Sequence, residues 1–367
     1  MCAVLIDLIA GARPNFMKIA PIVKVIDARR SAGGALRYRI VHTGQHYDRA
    51  MSADFFTQLG IPAPDINLEV GSGTQAEQAA AIMVRYENVL LEQRSDLCLV
   101  VGDVTSTMAC AIAARKLGVP VAHVEGGIRS EDWTMPEEIN RVVTDAITNW
   151  FFTTSEVANA NLRRAGVSVD CIFFVGNTMI DTLLANMDRL RPPTFWNEFG
   201  LVPREYFVLT LHRPANVDVG DTFSGLLASI CEGSRGLPVV FPVHPRTVKT
   251  LRQLSQLPSH LKMVEPQPYL EFNYLVKHAK AVITDSGGIT EETTVMGVPC
   301  LTLRNNTERP ETITIGTNEL IGTDPAAIKP AMGRIFADLW KKGAIPPLWD
   351  GHSGQRIVSE LERLLNE

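Results

Sequence analysis

Leu97-Cys98-Leu99-Val100-Val101-Gly102-Asp103-Val104-Thr105-Ser106-Thr107 sets an unbroken apolar run against an abrupt polar one. A short run rich in Val and Leu reads as a strand buried on both faces. The stretch that follows, Thr107–Leu117, is helical in character, and Val119–Val124 repeats the apolar run. Strand, helix and strand in succession make a right-handed crossover between parallel strands. The pattern extends outward on both sides. Val4–Ala10, Tyr38–His42, Trp150–Thr153 and Ile172–Gly176 are further buried-strand runs, with helical stretches such as Met17–Arg30 and Gln75–Glu92 between them. It restarts at Tyr206 with YFVLTLH, LPVVFPVH, AKAVITDS and GVPCLTL.

Two such series predict an α/β protein of two Rossmann-like domains. That suits a chain of 367 residues, because single cores stop growing at roughly 250–300 residues. The Pro- and aromatic-rich segment LRPPTFWNEFGLVPREY reads as a hinge region, with the boundary near Leu183–Arg204. The expected domains are 1–182 and 183–352, with the C-terminal helix 353–367 able to pack back on the first. In open parallel sheets, ligands sit beyond the carboxyl ends of the strands. Two domains facing each other across a cleft would line it with the residues that follow each strand.

Composition narrows the partners. Hydrophobic residues make up 46% and charged residues 20%, the ordinary balance of a soluble enzyme. A net charge of −5 supplies no basic face, so nucleic acid is not an expected partner. The apolar run in MCAVLIDLIAGARP is shorter than the ~20 residues of a membrane span, and no basic n-region precedes it. It reads as a buried first strand, and no membrane partner is expected. Cys2, Cys98, Cys110, Cys171, Cys231 and Cys300 form no CxxC pair and show no zinc-finger spacing. Buried reduced thiols and a cytoplasmic location are the expectation.

The strand ends of the first half carry unusual chemistry. Gly11-Ala12-Arg13-Pro14 opens a helix whose free N–H groups, with Arg13 and Lys18, suit a phosphate or sugar. A solvated basic helix start would read the same way. No GxGxxG fingerprint is present, so dinucleotide binding is not expected. His42 and His46 are four apart, but the Gly44 turn between them does not place them on one helix face, and no metal site is expected. Asp103 follows a buried strand and precedes a helix, where it or Thr105 could simply be an N-cap. Glu125 ends an apolar strand before a Gly pair. Glu137 and Glu138 stand in the first turn of a helix that Pro136 opens, which also suits the helix dipole. If Asp103, Glu125 and Glu137 gather beyond one sheet, mutual repulsion should raise at least one pKa, as a general acid or base requires.

In the second half, His212 follows YFVLTLH, where it could exchange protons, bind phosphate or be structural. His244 ends the next strand in similar fashion. Thr284-Asp285-Ser286-Gly287-Gly288-Ile289-Thr290-Glu291-Glu292 follows another strand and opens a helix. Its glycines let backbone N–H groups approach phosphate oxygens, Ser286 can donate, and Glu292 could accept from ribose hydroxyls. A Gly-rich turn with a capping Ser is the other reading. Arg309 adds positive charge downstream.

As an ordered set, these segments resemble one family. GARPNFMK (11–18), VVGDVTST (100–107), HVEGGIRS (123–130), MPEEINR (135–141), VGNTMIDTL (175–183), HRPANV (212–217), PVHPRT (242–247), PQPYLEF (266–272), TDSGGITEE (284–292) and TERPET (307–312) follow the order of non-hydrolysing UDP-N-acetylglucosamine 2-epimerases. The resemblance runs from about residue 4 to 324. Three departures stand out: Ala12 and Asn15 where GTRPE is usual, Met135 where a tryptophan is common, and HRPAN, with Pro214, where many members carry a second charged residue.

The resemblance implies a glycosyltransferase-B-like fold and a reaction without metal or organic cofactor. UDP is eliminated to leave 2-acetamidoglucal, then added back with C2 protonated on the other face, giving UDP-N-acetylmannosamine. It implies Asp103, Glu125 and Glu137 as catalytic carboxylates, assisted by His212. Arg13, Lys18, Gln267, Phe272, Ser286, Gly287, Gly288, Glu292 and Arg309 match nucleotide-sugar contacts. Phe272 would lie against the uracil. Gln45, His46, Arg213 and His244 match motifs that hold a second, activating UDP-N-acetylglucosamine in bacterial members. A homodimer is implied. A modified UDP-sugar such as UDP-2,3-diacetamido-glucuronic acid, or glycosyl transfer on the same fold, are the alternatives.

Overall fold

The computed structural model describes residues 3–44, 56, 58–218, 220–243, 245–251 and 258–366. Among them the chain forms two compact units, residues 1–185 with 347–367, and residues 186–346.

The first unit is built on a seven-stranded sheet among the described residues, in the order β3-β2-β1-β4-β5-β6-β7. The strands are β1 (Val4–Ala10), β2 (Leu36–His42), β3 (Ile66–Asn67), β4 (Leu97–Val101), β5 (Val121–Val124), β6 (Trp150–Thr153) and β7 (Ile172–Phe174). Every pairing is parallel. All five residues of β4 are buried, as its uninterrupted apolar sequence requires. One central strand carries a charge. Asp7 of β1 faces Arg39 of β2 in register. The Arg39 Nε and Nη2 donate to its two oxygens at 2.7 and 2.8 Å, and the Tyr86 hydroxyl donates at 2.9 Å. A buried carboxylate is tolerable only with such partners.

The residues from Pro347 onward belong to this unit. Trp349 is 1% exposed, and its Nε1 donates to the Thr154 carbonyl at 3.0 Å. The helix Ser353–Asn366 begins where the Gly354 N–H donates to Asp181 Oδ2 at 2.7 Å. Near its other end Arg29 Nη2 donates to the Ser359 hydroxyl at 2.7 Å and Arg29 pairs with Glu362.

The second unit carries a six-stranded parallel sheet among the described residues, in the order β10-β9-β8-β11-β12-β13. Its strands are β8 (Phe207–Thr210), β9 (Val239–Pro242), β10 (Leu261–Val264), β11 (Ala281–Thr284), β12 (Cys300–Thr302) and β13 (Asn318–Leu320). Alternate strand residues feed two cores. Phe207, Leu209, Phe241 and Ile283 join one cluster, and Val208, Val240 and Val282 the other. Phe195, Trp196 and Phe199, in the segment read as a hinge region, pack on the second cluster. The Trp196 ring meets Tyr206 edge-on, 5.6 Å between centroids.

In both sheets the order in which strands are added reverses at one place. In the first, β1 lies between β2 and β4; in the second, β8 lies between β9 and β11. At such a switch point the connections leave toward opposite faces and open a crevice at the strand ends. The candidate residues cluster at these two points.

Candidate functional site

In the first unit, the switch point lies between the ends of β1 and β4. The turn after β1 is tied down by Asn15. Its Oδ1 accepts from the N–H groups of Gly11 and Ala12 at 3.1 and 2.8 Å, and its Nδ2 donates to the Val101 carbonyl at 3.0 Å. Asn15 therefore stitches β1 to β4 from inside a buried position. The helix Arg13–Ser31 starts there, with Arg13 exposed and Lys18 buried one turn on.

Lys18 reaches across to Glu125 at the end of β5, Nζ to Oε2 at 2.7 Å, with the two side chains 11% and 2% exposed. Glu125 holds φ = 71°, a conformation uncommon for any residue but glycine. The pair lies against Gly102, which has φ = 68°. A Cβ there would lie 2.9 Å from Lys18 Nζ.

Asp103 follows Gly102. Neither it nor Thr105 caps the next helix, because the cap position falls on Val104. The Asp103 carboxylate is held by Arg141, whose Nε and Nη2 donate to Oδ2 at 3.0 and 2.6 Å. The Asp103 carbonyl accepts from Asn140 Nδ2 at 2.9 Å. Arg141 also donates to Glu138 at 2.7 Å. Glu138 accepts from the Ser130 hydroxyl and from the N–H groups of Ser130 and Glu131, at 3.0, 2.9 and 3.1 Å. Burial alone would raise its pKa, but these donors outweigh that and lower it. Of the two glutamates in this turn, then, Glu138 pins the preceding loop, while Glu137 is half-buried. Two of the three acids have a cationic partner: Asp103 has Arg141 and Glu125 has Lys18.

In the second unit, the switch point lies between the ends of β8 and β11. Asp285, fully buried, organises it. Its carboxylate accepts from the N–H groups of His212 and Arg213, at 3.1 and 2.9 Å, and from Asn216 Nδ2 at 3.1 Å. It lies 2.8 Å from His212 Nδ1. Burial would push its pKa up, but the His212 ring and the backbone donors hold it below the ordinary value. The His212 side chain itself remains 44% exposed.

The helix Gly287–Met296 begins beside this Asp, with Ser286 at the cap position making no side-chain cap bond. Space beyond Gly288 is open, since a Cβ there would meet nothing within 4 Å. Arginines surround this helix start, and each is held by a buried acid. Arg309 Nε donates to Glu291 at 2.5 Å. Arg304 grips both Glu308 oxygens at 2.7 and 2.8 Å. Arg213 donates from Nε to the Asp285 carbonyl at 3.0 Å and lies 3.6 Å from Glu308.

Glu292 points into the protein, accepting from Asn273 Nδ2 at 3.3 Å. Burial pushes its pKa up to about 7. Phe272 is half-buried against the cluster of Val240 and Val282, and Gln267 Nε2 donates to the Glu265 carbonyl at 2.7 Å. Gln45, His46 and His244 lie outside the described residues. Among the described residues, no group of three or more His, Cys, Asp and Glu is placed to hold a metal ion, and no helix is long and apolar enough to cross a membrane.

Sequence reasoning passed over Arg141, Asp285, Arg304 and Glu308. Asp285 was the most accessible of these, an acid directly after a buried strand. Arg141 shows itself only as the residue three beyond Glu138, one turn along the same helix.

Comparison with known proteins bears on the fold and the family. The profile of the family described as UDP-N-acetylglucosamine 2-epimerase matches residues 29–362. The UDP-N-acetylglucosamine 2-epimerase of Methanocaldococcus jannaschii is 39% identical over 368 residues, covering 96% of this chain and 97% of that protein. The UDP-2,3-diacetamido-2,3-dideoxy-D-glucuronate 2-epimerase of Pseudomonas aeruginosa is 39% identical over 318 residues, covering 86% and 87%. The crystal structure of the M. jannaschii enzyme, in complex with UDP-GlcNAc and UDP, superposes with a TM-score of 0.86 at 38% identity, covering 98% of this chain and 100% of that one. The matching profile and a relative aligned along nearly the whole chain, together with two parallel α/β units of the glycosyltransferase-B-like kind, place this chain in the UDP-N-acetylglucosamine 2-epimerase family.

Proposed function

We propose that this enzyme interconverts UDP-N-acetylglucosamine and UDP-N-acetylmannosamine by eliminating UDP and adding it back. The reaction makes two separate demands. A base must take the proton from C2, and the diphosphate must be stabilised as the C1–O bond breaks. What supports the reading is that one unit carries Asp103 and Glu125, each paired with a cation, while the other carries a Gly-rich helix start with arginines beside it. Breaking and remaking C1–O changes no oxidation state overall, so the scheme calls for no redox cofactor.

Asp103, Glu125 and Glu137 are the proposed catalytic acids. Arg141 and Lys18 hold the Asp103 and Glu125 carboxylates in place through ion pairs. His212 is the proposed partner of the departing diphosphate, either as a proton donor or as a charge. Asp285 lies against its Nδ1 and so sets the orientation of the ring. The N–H groups at Gly287 and Gly288, with Ser286 and Arg309, bind the diphosphate. Glu292 takes the ribose and Phe272 the uracil, while Arg13 and Gln267 complete the contacts. Arg213, with Gln45, His46 and His244, is assigned to a second, activating UDP-N-acetylglucosamine, and the working form is taken to be a homodimer. The described cysteines are unpaired, and four of the five are buried, which supports a reducing compartment such as the cytoplasm.

Turnover in D2O tests the reading. Deuterium at C2 of both sugars, formed without any acceptor, is the expected result. Consumption of the donor with no deuterium at C2 and no second UDP-sugar formed would refute it and favour glycosyl transfer. The Pseudomonas relative favours a second reading, in which the substrate is the diacetamido-uronate. Product analysis with both UDP-sugars decides between them.

A further inference from the structure

His123 belongs to the same motif as Glu125, two residues before it. It is fully buried on β5. Its Nδ1 lies 2.8 Å from Asp145 Oδ1 and its Nε2 lies 2.8 Å from the Gly102 carbonyl. A carbonyl only accepts, and Asp145 is also an acceptor. Its other oxygen takes the Gly127 N–H at 3.0 Å and Arg129 Nη1 at 2.6 Å. Burial would raise the pKa of Asp145, but His123 and Arg129 outweigh it and lower it. A ring with an acceptor at each nitrogen needs two N–H donors, which only the imidazolium provides.

The position of this ring gives it leverage. Gly102 is the residue before Asp103, and Glu125 is two residues beyond His123 in the chain. Asp145 comes from the helix Pro136–Ile147, which also carries Glu137, Asn140 and Arg141. A single side chain thus ties together the three segments bearing the three acids. Asp103 is constrained at three points: His123 on the carbonyl before it, Asn140 on its own carbonyl, and Arg141 on its carboxylate. The charged groups around the ring are Asp145, Arg129 beyond it, and the Lys18–Glu125 pair at Gly102.

We propose that His123 is a positioning residue for the acids, a buried imidazolium whose two N–H groups lock the Gly102–Asp103 turn to Asp145. It does not touch the sugar. The proposal rests on the assignment of Asp103, Glu125 and Glu137 to the chemistry. Displacing acids by about 1 Å costs roughly 10²-fold in rate, whereas UDP, held by the other unit, should not register the change.

Two measurements test it. In the 15N NMR spectrum of the full-length wild type at pH 7.5, both His123 ring nitrogens should carry protons. A single protonated nitrogen overturns the proposal without reference to activity. In His123→Gln, C2 deuterium uptake should fall about 10²-fold at saturating substrate, with the Kd for UDP within twofold of wild type. Uptake at the wild-type rate, or an equal loss of UDP binding, overturns it. Absence of deuterium uptake in the wild type would instead overturn the functional reading and leave the NMR result standing.

Discussion

Asp285 holds His212 at two points, accepting from its backbone N–H at 3.1 Å and lying 2.8 Å from its ring Nδ1. A long-range pair, 73 residues apart in sequence, thereby behaves as one unit. The ring is fixed in orientation, and its other nitrogen is directed away from the carboxylate. Asp285→Asn should therefore lower kcat by about 10²-fold, with a smaller effect on UDP affinity. Steady-state kinetics with product inhibition by UDP checks this. An unchanged kcat would mean that the pair only serves folding.

Gly102 predicts a second effect. Alanine at φ = 68° costs on the order of 1 kcal/mol, and its Cβ would sit 2.9 Å from Lys18 Nζ. Gly102→Ala should displace Lys18 from Glu125, lower Tm by a few degrees and remove most epimerisation. Calorimetry and the D2O assay measure the two parts. Full activity in a folded variant would show that the Lys18–Glu125 pair is not needed in that geometry.

Arg309 and Glu291 separate stability from binding. Removing one member of a buried ion pair costs roughly 3–5 kcal/mol, because the other charge loses its partner. Arg309→Leu should destabilise the fold and weaken UDP binding together. The double variant Arg309→Leu, Glu291→Leu should regain Tm but not affinity. Recovery of both would remove Arg309 from the diphosphate site.

Glu292 predicts a pH dependence. Its folded pKa is raised to about 7 from an ordinary 4.5. The folded state therefore keeps a proton that the unfolded chain loses, and stability declines as pH rises from about 4.5 to about 7, flattening above. The full span is roughly 3 kcal/mol. Glu292→Gln should raise Tm relative to wild type at pH 8 more than at pH 5. If ribose hydroxyls donate to this carboxylate, UDP binding near pH 7 should also release protons. Calorimetric titration in two buffers detects that release, and equal values for wild type and Glu292→Gln would argue against the ribose contact.

The fold class was legible because both-face burial writes itself into strands such as β4 and β11 as apolar runs. The chemistry was legible where a polar residue broke such a run, as at Asp103, Glu125 and His212. What holds those residues was not. Arg141 is 38 residues from Asp103 and Lys18 is 107 from Glu125. Such pairings depend on strand order, and hydrophobic periodicity carries no record of order. Asn15, conspicuous in sequence only as a departure from GTRPE, proved to be the clamp between β1 and β4.

The return of the chain to its first unit at Pro347 bears on synthesis. Residues 1–185 leave the ribosome long before Trp349 and the helix Ser353–Asn366, while 186–346 is contiguous and can close its own core as it emerges. The half bearing the acids is thus finished after the half bearing the helix start at Gly287. Until then, the surfaces around Thr154 and Asp181 that those residues cover stay open to water. A nascent chain stalled before residue 347 would present one completed unit and one still waiting for its final helix.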